Sequence, residues 1–284
     1  MMKFIKGFFI FVIILILAAA GCIFYAFRIE PFRLAVKEYA FGEDKEEASE
    51  LKVVQFSDLH IKEDFTEKNL KKVVDKINAQ TPDVVIFTGD LYDNYAVYHD
   101  DAAVIRRLSG IKAGRAKVAV WGNRDYGGGA ARQYENIMEQ AGFTLLRNEN
   151  WYVTADNGRK VLFTGLDDSI FGEPSMPEDT KIYESDFEVL LMHEPDTVKD
   201  YADDGYEASL GGHSHGGQIN VPFLPFVNKM AVSATNLASE YSGGMYELSE
   251  DGSSKLYVNT GIGTTHISAR FGVTPEITVF HIYL

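Results

Sequence analysis

From residue 52 onward the chain alternates short β-branched and aromatic runs with stretches of helical period. Lys52-Val53-Val54-Gln55-Phe56 is a short, almost unbroken apolar run, the pattern of a strand buried on both faces. A helix is predicted to begin at Thr66, which can cap it, with Phe65 and Leu70 stapled across the cap; Leu70, Val73, Val74 and Ile77 share one face and Pro82 ends it. Asp83 to Phe87 reads as a second strand, 99–109 as a helix, and Lys117 to Trp121 as a third strand. Each strand runs directly into polar residues: Ser57-Asp58-Leu59-His60, Gly89-Asp90 and Gly122-Asn123-Arg124-Asp125. Open α/β sheets collect ligands at the carboxyl ends of their strands, so the pattern already points to a site.

After residue 143 the pattern turns β-rich. Trp151 to Thr154 and Val161 to Leu166 flank Asp156-Asn157-Gly158, a hairpin signal because Asn-Gly tolerates positive φ. Phe187 to Met192 leads into His193, and Ala208 to Leu210 leads into Gly212-His213-Ser214-His215. Gly244 to Leu248, Lys255 to Asn259 and Ile277 to Tyr283 are further strands. Pro222-Phe223-Leu224-Pro225-Phe226-Val227 is apolar but bracketed by prolines, which excludes a central strand; it covers core or forms an apolar rim against a bilayer.

The N-terminus has a different pattern. Gly7 to Phe27 is uncharged over 21 residues, roughly 30 Å as a helix, about one hydrocarbon core. Ala18-Ala19-Ala20-Gly21-Cys22 also permits a lipoprotein signal with Cys22 lipidated. The apolar run continues past Cys22, however, and an uncleaved single-pass anchor is the preferred reading. Lys3 and Lys6 precede it while Arg28, Arg33 and Lys37 follow, so charge does not fix the orientation. A very short tail before a large domain favours a cell-membrane protein whose catalytic domain is extracytoplasmic. The expected division is an anchor at 1–28, a charged linker at 29–50 and one catalytic domain at 51–284.

A net charge of −14, from 27 basic and 41 acidic residues, repels nucleic acid, and no Lys/Arg cluster offsets it. The lone cysteine forbids an intramolecular disulfide. Candidate chemistry lies in Asp58, His60, Asp90, Asn123, His193, His213 and His215. Oxygen and imidazole donors without thiolate suit Mn, Fe or Zn. Singly, a strand-end Asp is more often a cap and a lone His a satisfied polar group. Asp-x-His, Gly-Asp-x-x-Asp, Gly-Asn and Gly-His-x-His occurring together make that reading untenable.

In these motifs the chain resembles the calcineurin-like metallophosphoesterase superfamily, in particular its membrane-anchored bacterial branch, over roughly residues 50–284. The resemblance implies an α/β fold: a four-layer α/β/β/α sandwich of two mixed sheets behind one transmembrane helix. It implies two divalent metal ions, one on Asp58, His60 and His215, the other on Asn123, His193 and His213, with Asp90 bridging. A hydroxide shared by such a pair would attack a phosphoester, possible substrates including a lipid-linked or envelope phosphate. Asp93, Asn94 and Asp125 are expected to orient the ligands or close their loops. Gly127 and Gly128 could present N–H groups to phosphate, although a flexible loop is an equal reading. The family usually has His where this chain has Arg124, which can hold phosphate oxygens but cannot donate a proton near neutrality. His266 or Asp125 would then have to serve as the acid, or the leaving groups need none. A cytoplasmic-face pyrophosphatase acting on a nucleotide-activated lipid, and a metal-binding module with impaired catalysis, are the alternative functions.

Overall fold

Alternation of buried side chains along the predicted strands sets the layers. In the computed structural model, which describes residues 2–42, 48–178 and 184–284, the first strands are β1 (Ala35–Phe41), β2 (Glu50–Phe56), β3 (Val84–Phe87), β4 (Ala116–Ala119) and β5 (Thr144–Leu145). Between them lie α2 (Glu67–Asn78), α3 (Asp101–Leu108), α4 (Asn123–Gly127) and α5 (Tyr134–Gln140), all after α1 (Met2–Arg28). The later strands are β6 (Glu149–Thr154), β7 (Lys160–Gly165), β8 (Phe187–Leu191), β9 (Ala208–Gly211), β10 (Gly244–Glu247), β11 (Lys255–Val258) and β12 (Glu276–Tyr283), with α6 (Pro225–Ser233) between β9 and β10.

Two six-stranded sheets result, in the orders β1-β12-β2-β3-β4-β5 and β10-β11-β9-β8-β7-β6. Both are mixed: β2 through β5 are parallel with β12 antiparallel to β2, and β7, β8, β9 and β11 are parallel with β6 and β10 antiparallel at the edges. Val53, Ile86 and Val118 of the first sheet pack with Phe163, Val189 and Leu210 of the second. The alternate residues Val54, Phe56, Val85 and Phe87 turn outward onto the helices, against Leu70, Val104 and Ile137. On the far side the fourth layer is thin, chiefly a 3-10 stretch at Pro195–Asp204, with Val198 on Leu190 and Leu256. The buried Gln55 joins the sheets at the end that carries the ligands, donating to the Gly211 carbonyl at 2.9 Å and to Thr88 Oγ1 at 3.1 Å.

The helix after β2 starts as the sequence predicts: Thr66 is its N-cap, and its N–H donates to Asn69 Oδ1. The expected linker at 29–50 needs correction. β1 lies within it and pairs in parallel with β12, and Glu30 is buried, accepting from Gly272 N at 2.9 Å. An edge strand needs only one apolar face, so Lys37 and Glu38 disguised it. Residues 43–47 of the charged run lie outside the described residues.

α1 is the one helix, among the described residues, long and apolar enough to cross a membrane, and its large apolar side chains are exposed. Its C-terminal end is tied to the domain: Arg270 N donates to the Ala26 carbonyl at 2.9 Å, and the Tyr25 ring meets Phe271 edge-on at 6.1 Å.

Candidate metal centre

All seven candidate ligands sit just beyond the carboxyl ends of strands, where the backbone must leave the sheet abruptly. Five of them adopt left-handed backbone: Asp58, His60, Asp90, His213 and His215, with φ between 42° and 66°. Non-glycine residues rarely accept that conformation, at a cost of about 1–3 kcal/mol each, and its concentration here marks a functional site. Two glycines make the approach possible. A Cβ on Gly89, whose φ is +91°, would stand 2.6 Å from Gly122 N, and one on Gly212 would stand 2.1 Å from Ser57 Oγ.

The loops are sewn together before any cation is considered. Asp58 N donates to the Gly89 carbonyl and His60 N to the Asp90 carbonyl, so the first two motifs share a turn. His213 N donates to Asp58 Oδ2 at 3.0 Å, which brings the second sheet to the first. Arg124 N donates to Asp90 Oδ1 at 2.7 Å. Asp125, fully buried, accepts from the N–H groups of Asp90, Leu91 and Gly122 and so fixes the turn that carries Asp90.

Two clusters form. Asp58, His60 and His215 can bring one ligand atom each to within 4.8 Å of one another, as can Asp90, His193 and His213. Within the first, His215 Nε2 is 2.9 Å from His60 Nε2 and 3.4 Å from Asp58 Oδ1; within the second, His213 Nδ1 is 3.2 Å from His193 Nε2. Asp90 Oδ2 stands between the clusters, 3.3 Å from His60 Nε2 and 3.4 Å from His193 Nε2. That is the position expected of a bridging carboxylate.

The donor set fits divalent cations on two further observations. Asp58 Oδ1 and Asn123 Oδ1 are buried without a hydrogen-bond partner, and such oxygens in a polar centre call for a ligand. Burial alone would lower the His60 pKa, yet the neighbouring Asp58 carboxylate, the hydrogen bond with Asp93 and the charge of Asp90 lift it to about 9. Burial works against a charged His193 in the same way, and the Asp90 carboxylate overrides it to hold the pKa well above normal. The cluster thus demands positive charge, as protons or as cations. His215 behaves oppositely: burial takes it well below its usual value, opposed by Asp58 and reinforced by His60 and Arg270, so it stays neutral.

The supporting residues divide. Asp93 Oδ1 lies 3.1 Å from His60 Nδ1, as expected of a ligand-orienting carboxylate. Burial would raise its pKa, but the contacts with His60, Lys62 and Arg124 bring it to about 2. Asn94 is exposed and only its carbonyl is used, accepting from Val97 N and Tyr98 N, so it shapes a turn and does not support a ligand. Burial and the Asp90 charge push the Asp125 pKa up to about 7, but its oxygens face three backbone N–H groups in a buried pocket, which removes it as an acid for a leaving group. Gly127 and Gly128 do not form a phosphate cradle. They end α4, where Gly128 N donates to the Arg124 carbonyl and the Phe171 ring lies against Gly127.

A cavity of about 470 Å³ opens onto the centre, lined by His60, Asp90, Asn123, His213 and His215 and, farther out, by Arg124, Thr265, His266 and Ile267. The Arg124 guanidinium reaches Thr265 Oγ1 at 3.3 Å, on the cavity wall beside the exposed His266.

Three contributors lie outside the predicted site residues. Thr88 O lies 2.6 Å from His193 Nδ1 and orients that ring, a backbone role any residue type could fill. Arg270 is fully buried; its Nη2 lies 3.2 Å from His215 Nδ1 and also donates to the carbonyls of Thr260 and Gly263. Glu194, beside His193, is buried, burial pushes its pKa well up, and its Oε2 accepts from Ser169 N at 3.0 Å, which shapes the loop behind His193.

Comparison with known proteins agrees with this geometry. A family model for calcineurin-like phosphoesterases matches residues 51–217. The uncharacterized metallophosphoesterase YkuE of Bacillus subtilis (strain 168) is 36% identical over 282 residues, covering 98% of this chain and 96% of that protein. UDP-2,3-diacylglucosamine pyrophosphatase LpxG of Chlamydia trachomatis serovar D is 26% identical over 307 residues, covering 89% of this chain and 90% of that one.

Proposed function

Since the chain belongs to the calcineurin-like phosphoesterase family, whose members use divalent metals, we propose that it is a membrane-tethered hydrolase working with two cations held between its sheets. The observation that carries the reading is the convergence of two Asp-His-His clusters on one carboxylate, Asp90. Asp58, His60 and His215 would hold one ion, His193, His213 and Asn123 the other, and Asp90 both. Such a pair supplies an activated water and polarises phosphate oxygens. Arg124, on the cavity wall, is placed to grip the phosphate and offset charge that builds in the transition state. His266, exposed on the same wall, is the side chain from which a leaving oxygen can draw a proton; Asp125 is not accessible for it.

The substrate class we favour is a lipid-linked phosphoester or pyrophosphate. The length and apolarity of α1 suit a membrane span, which would bring the cavity to a membrane, and a relative matched over nine-tenths of its length is described as a UDP-2,3-diacylglucosamine pyrophosphatase. Full-length protein in detergent with Mn added should turn over at least one of a panel of aryl mono-, di- and pyrophosphate esters. Protein that holds two equivalents of metal yet hydrolyses none of them would overturn the catalytic reading. Topology decides between envelope and cytoplasmic substrates. We place the domain outside the cytoplasm, where protease added to spheroplasts digests it; protection until lysis would select the cytoplasmic-face pyrophosphatase.

A further inference from the structure

Outside α1, large exposed apolar side chains concentrate beside the cavity mouth. Phe223, Leu224, Phe226 and Met230 fall within eight residues on α6 and the turn before it, and Phe223 is 99% exposed. Ile267, also exposed, stands on the loop that lines the cavity together with Ala231 and Ala234 of the α6 end. Scattered exposed hydrophobics need no explanation, but a contiguous set marks a contact surface.

What covers this surface follows from how it is held. Asn228 of α6 donates to the carbonyls of Gly216 and Ile219, pinning the helix to the loop after His215. Asn220 N, in that loop, donates to the Phe271 carbonyl at 2.6 Å. Phe271 in turn packs on Tyr25 of α1, and its neighbour Arg270 bonds the Ala26 carbonyl. α6 and the C-terminal end of α1 therefore hold two segments, 216–220 and 270–271, that are hydrogen-bonded to each other. The composition agrees: in a chain with 41 acidic residues, neither 218–238 nor 262–272 contains one, and Lys229 is the only charge in the first. A face without carboxylates, carrying one Lys and four large apolar side chains, suits an anionic headgroup surface.

We propose that the Phe223 to Met230 face docks on the lipid bilayer that α1 crosses, so that the cavity opens at headgroup level. The inference rests on reading α1 as a membrane span, and it is independent of which side the domain occupies. Amphipathic faces of this kind settle about 5–10 Å into the boundary between headgroups and acyl chains.

The test uses the full chain, with Cys22→Ala removing the only cysteine, reconstituted in vesicles of phosphatidylethanolamine and phosphatidylglycerol. Cysteines placed one at a time by Phe226→Cys, Met230→Cys and Asp156→Cys carry an environment-sensitive nitrobenzoxadiazole label. At 226 and 230 the emission should shift blue, rise several-fold and be quenched most by lipid nitroxides near the headgroup. At 156, exposed in the turn before β7 and so at the opposite end of the second sheet from His193 and His213, it should stay water-like. Water-like emission at 226 and 230 overturns the proposal. Blue-shifted emission that lipid nitroxides leave unquenched also overturns it and assigns the face to a second copy of the chain. Hydrolysis of a soluble aryl diester by the same preparations reads the proposed activity separately, so loss of either result leaves the other standing.

Discussion

The two sheets bring different chemistry to the centre. The first supplies the oxygens, Asp58, Asp90 and Asn123, with a single imidazole, His60; the second supplies imidazoles alone, His193, His213 and His215. Neither sheet holds a complete cluster: each Asp meets at least one histidine from across the interface. The first sheet is covered by α2, α3 and α5, the second by little more than a 3-10 stretch. A strongly supported half therefore carries the charge, while a lightly covered half would complete the coordination of the proposed ions. Cations bound between them would tie the halves together.

The largest effect should come from removing the charge the two clusters share. Asp90→Asn is expected to lower hydrolysis of an aryl diester about 10³-fold or more, since a metal pair sharing one carboxylate typically contributes several kcal/mol. Metal content measured on the purified variant should fall with it. Two equivalents of metal retained at wild-type affinity would break the division between clusters.

Arg124→Ala should cost about 10²-fold in kcat, the usual loss when one charge-stabilising donor is removed. In a His266→Ala background, where the proposed acid is gone, Arg124→His should flatten the dependence of rate on leaving-group pKa and add a pH limb near the ordinary imidazole value, about 6.5. The sign is fixed by chemistry: an acid is active while protonated, so this added contribution fades as pH rises through that value. Wild-type rates for the Ala variant on every substrate would remove Arg124 from the mechanism.

The two imidazoles of the first cluster sharpen the comparison, because they are backed oppositely: His60 by the Asp93 carboxylate, His215 by the Arg270 guanidinium. Asp93→Asn should weaken metal binding roughly 10–100-fold, as loss of a carboxylate behind a ligating histidine does. Arg270→Met acts through packing as well. It leaves the Thr260 and Gly263 carbonyls buried without their donor, at about 1–3 kcal/mol for each group, and should lower the Tm in calorimetry even of metal-free protein. Equal metal-free Tm values for Arg270→Met and wild type would show that those carbonyls find other partners.

A further effect concerns the tie between the sheets. Mn at about a hundred times its Kd should stabilise the protein by about 2.7 kcal/mol over chelated protein, raising the Tm by several degrees. No shift with metal demonstrably bound would mean that the unfolded chain binds it as tightly, so that the metal does not tie the sheets together.

Much of this was legible in the chain, and unequally. Strands β2, β3, β8 and β9 could be read because each is a short apolar run ending in a polar motif, and the helix after β2 because its cap, staple and apolar face agree. β1 was not, since a charged edge strand lacks a distinguishing period, and its place beside β12 depends on residues more than two hundred positions away. Local pattern fixes which residue types stand at strand ends, because hydrophobic period and chain reversal act over a few residues. The tertiary structure alone decided which of them meet. It set Asp90 between His60 and His193, buried Arg270 behind His215, withdrew Asn94, Gly127 and Gly128 from the site, and locked Asp125 beneath three N–H groups. The reason is physical: these are through-space relations between segments far apart in sequence, set by the packing of two sheets and by backbone hydrogen bonds that any residue type can make.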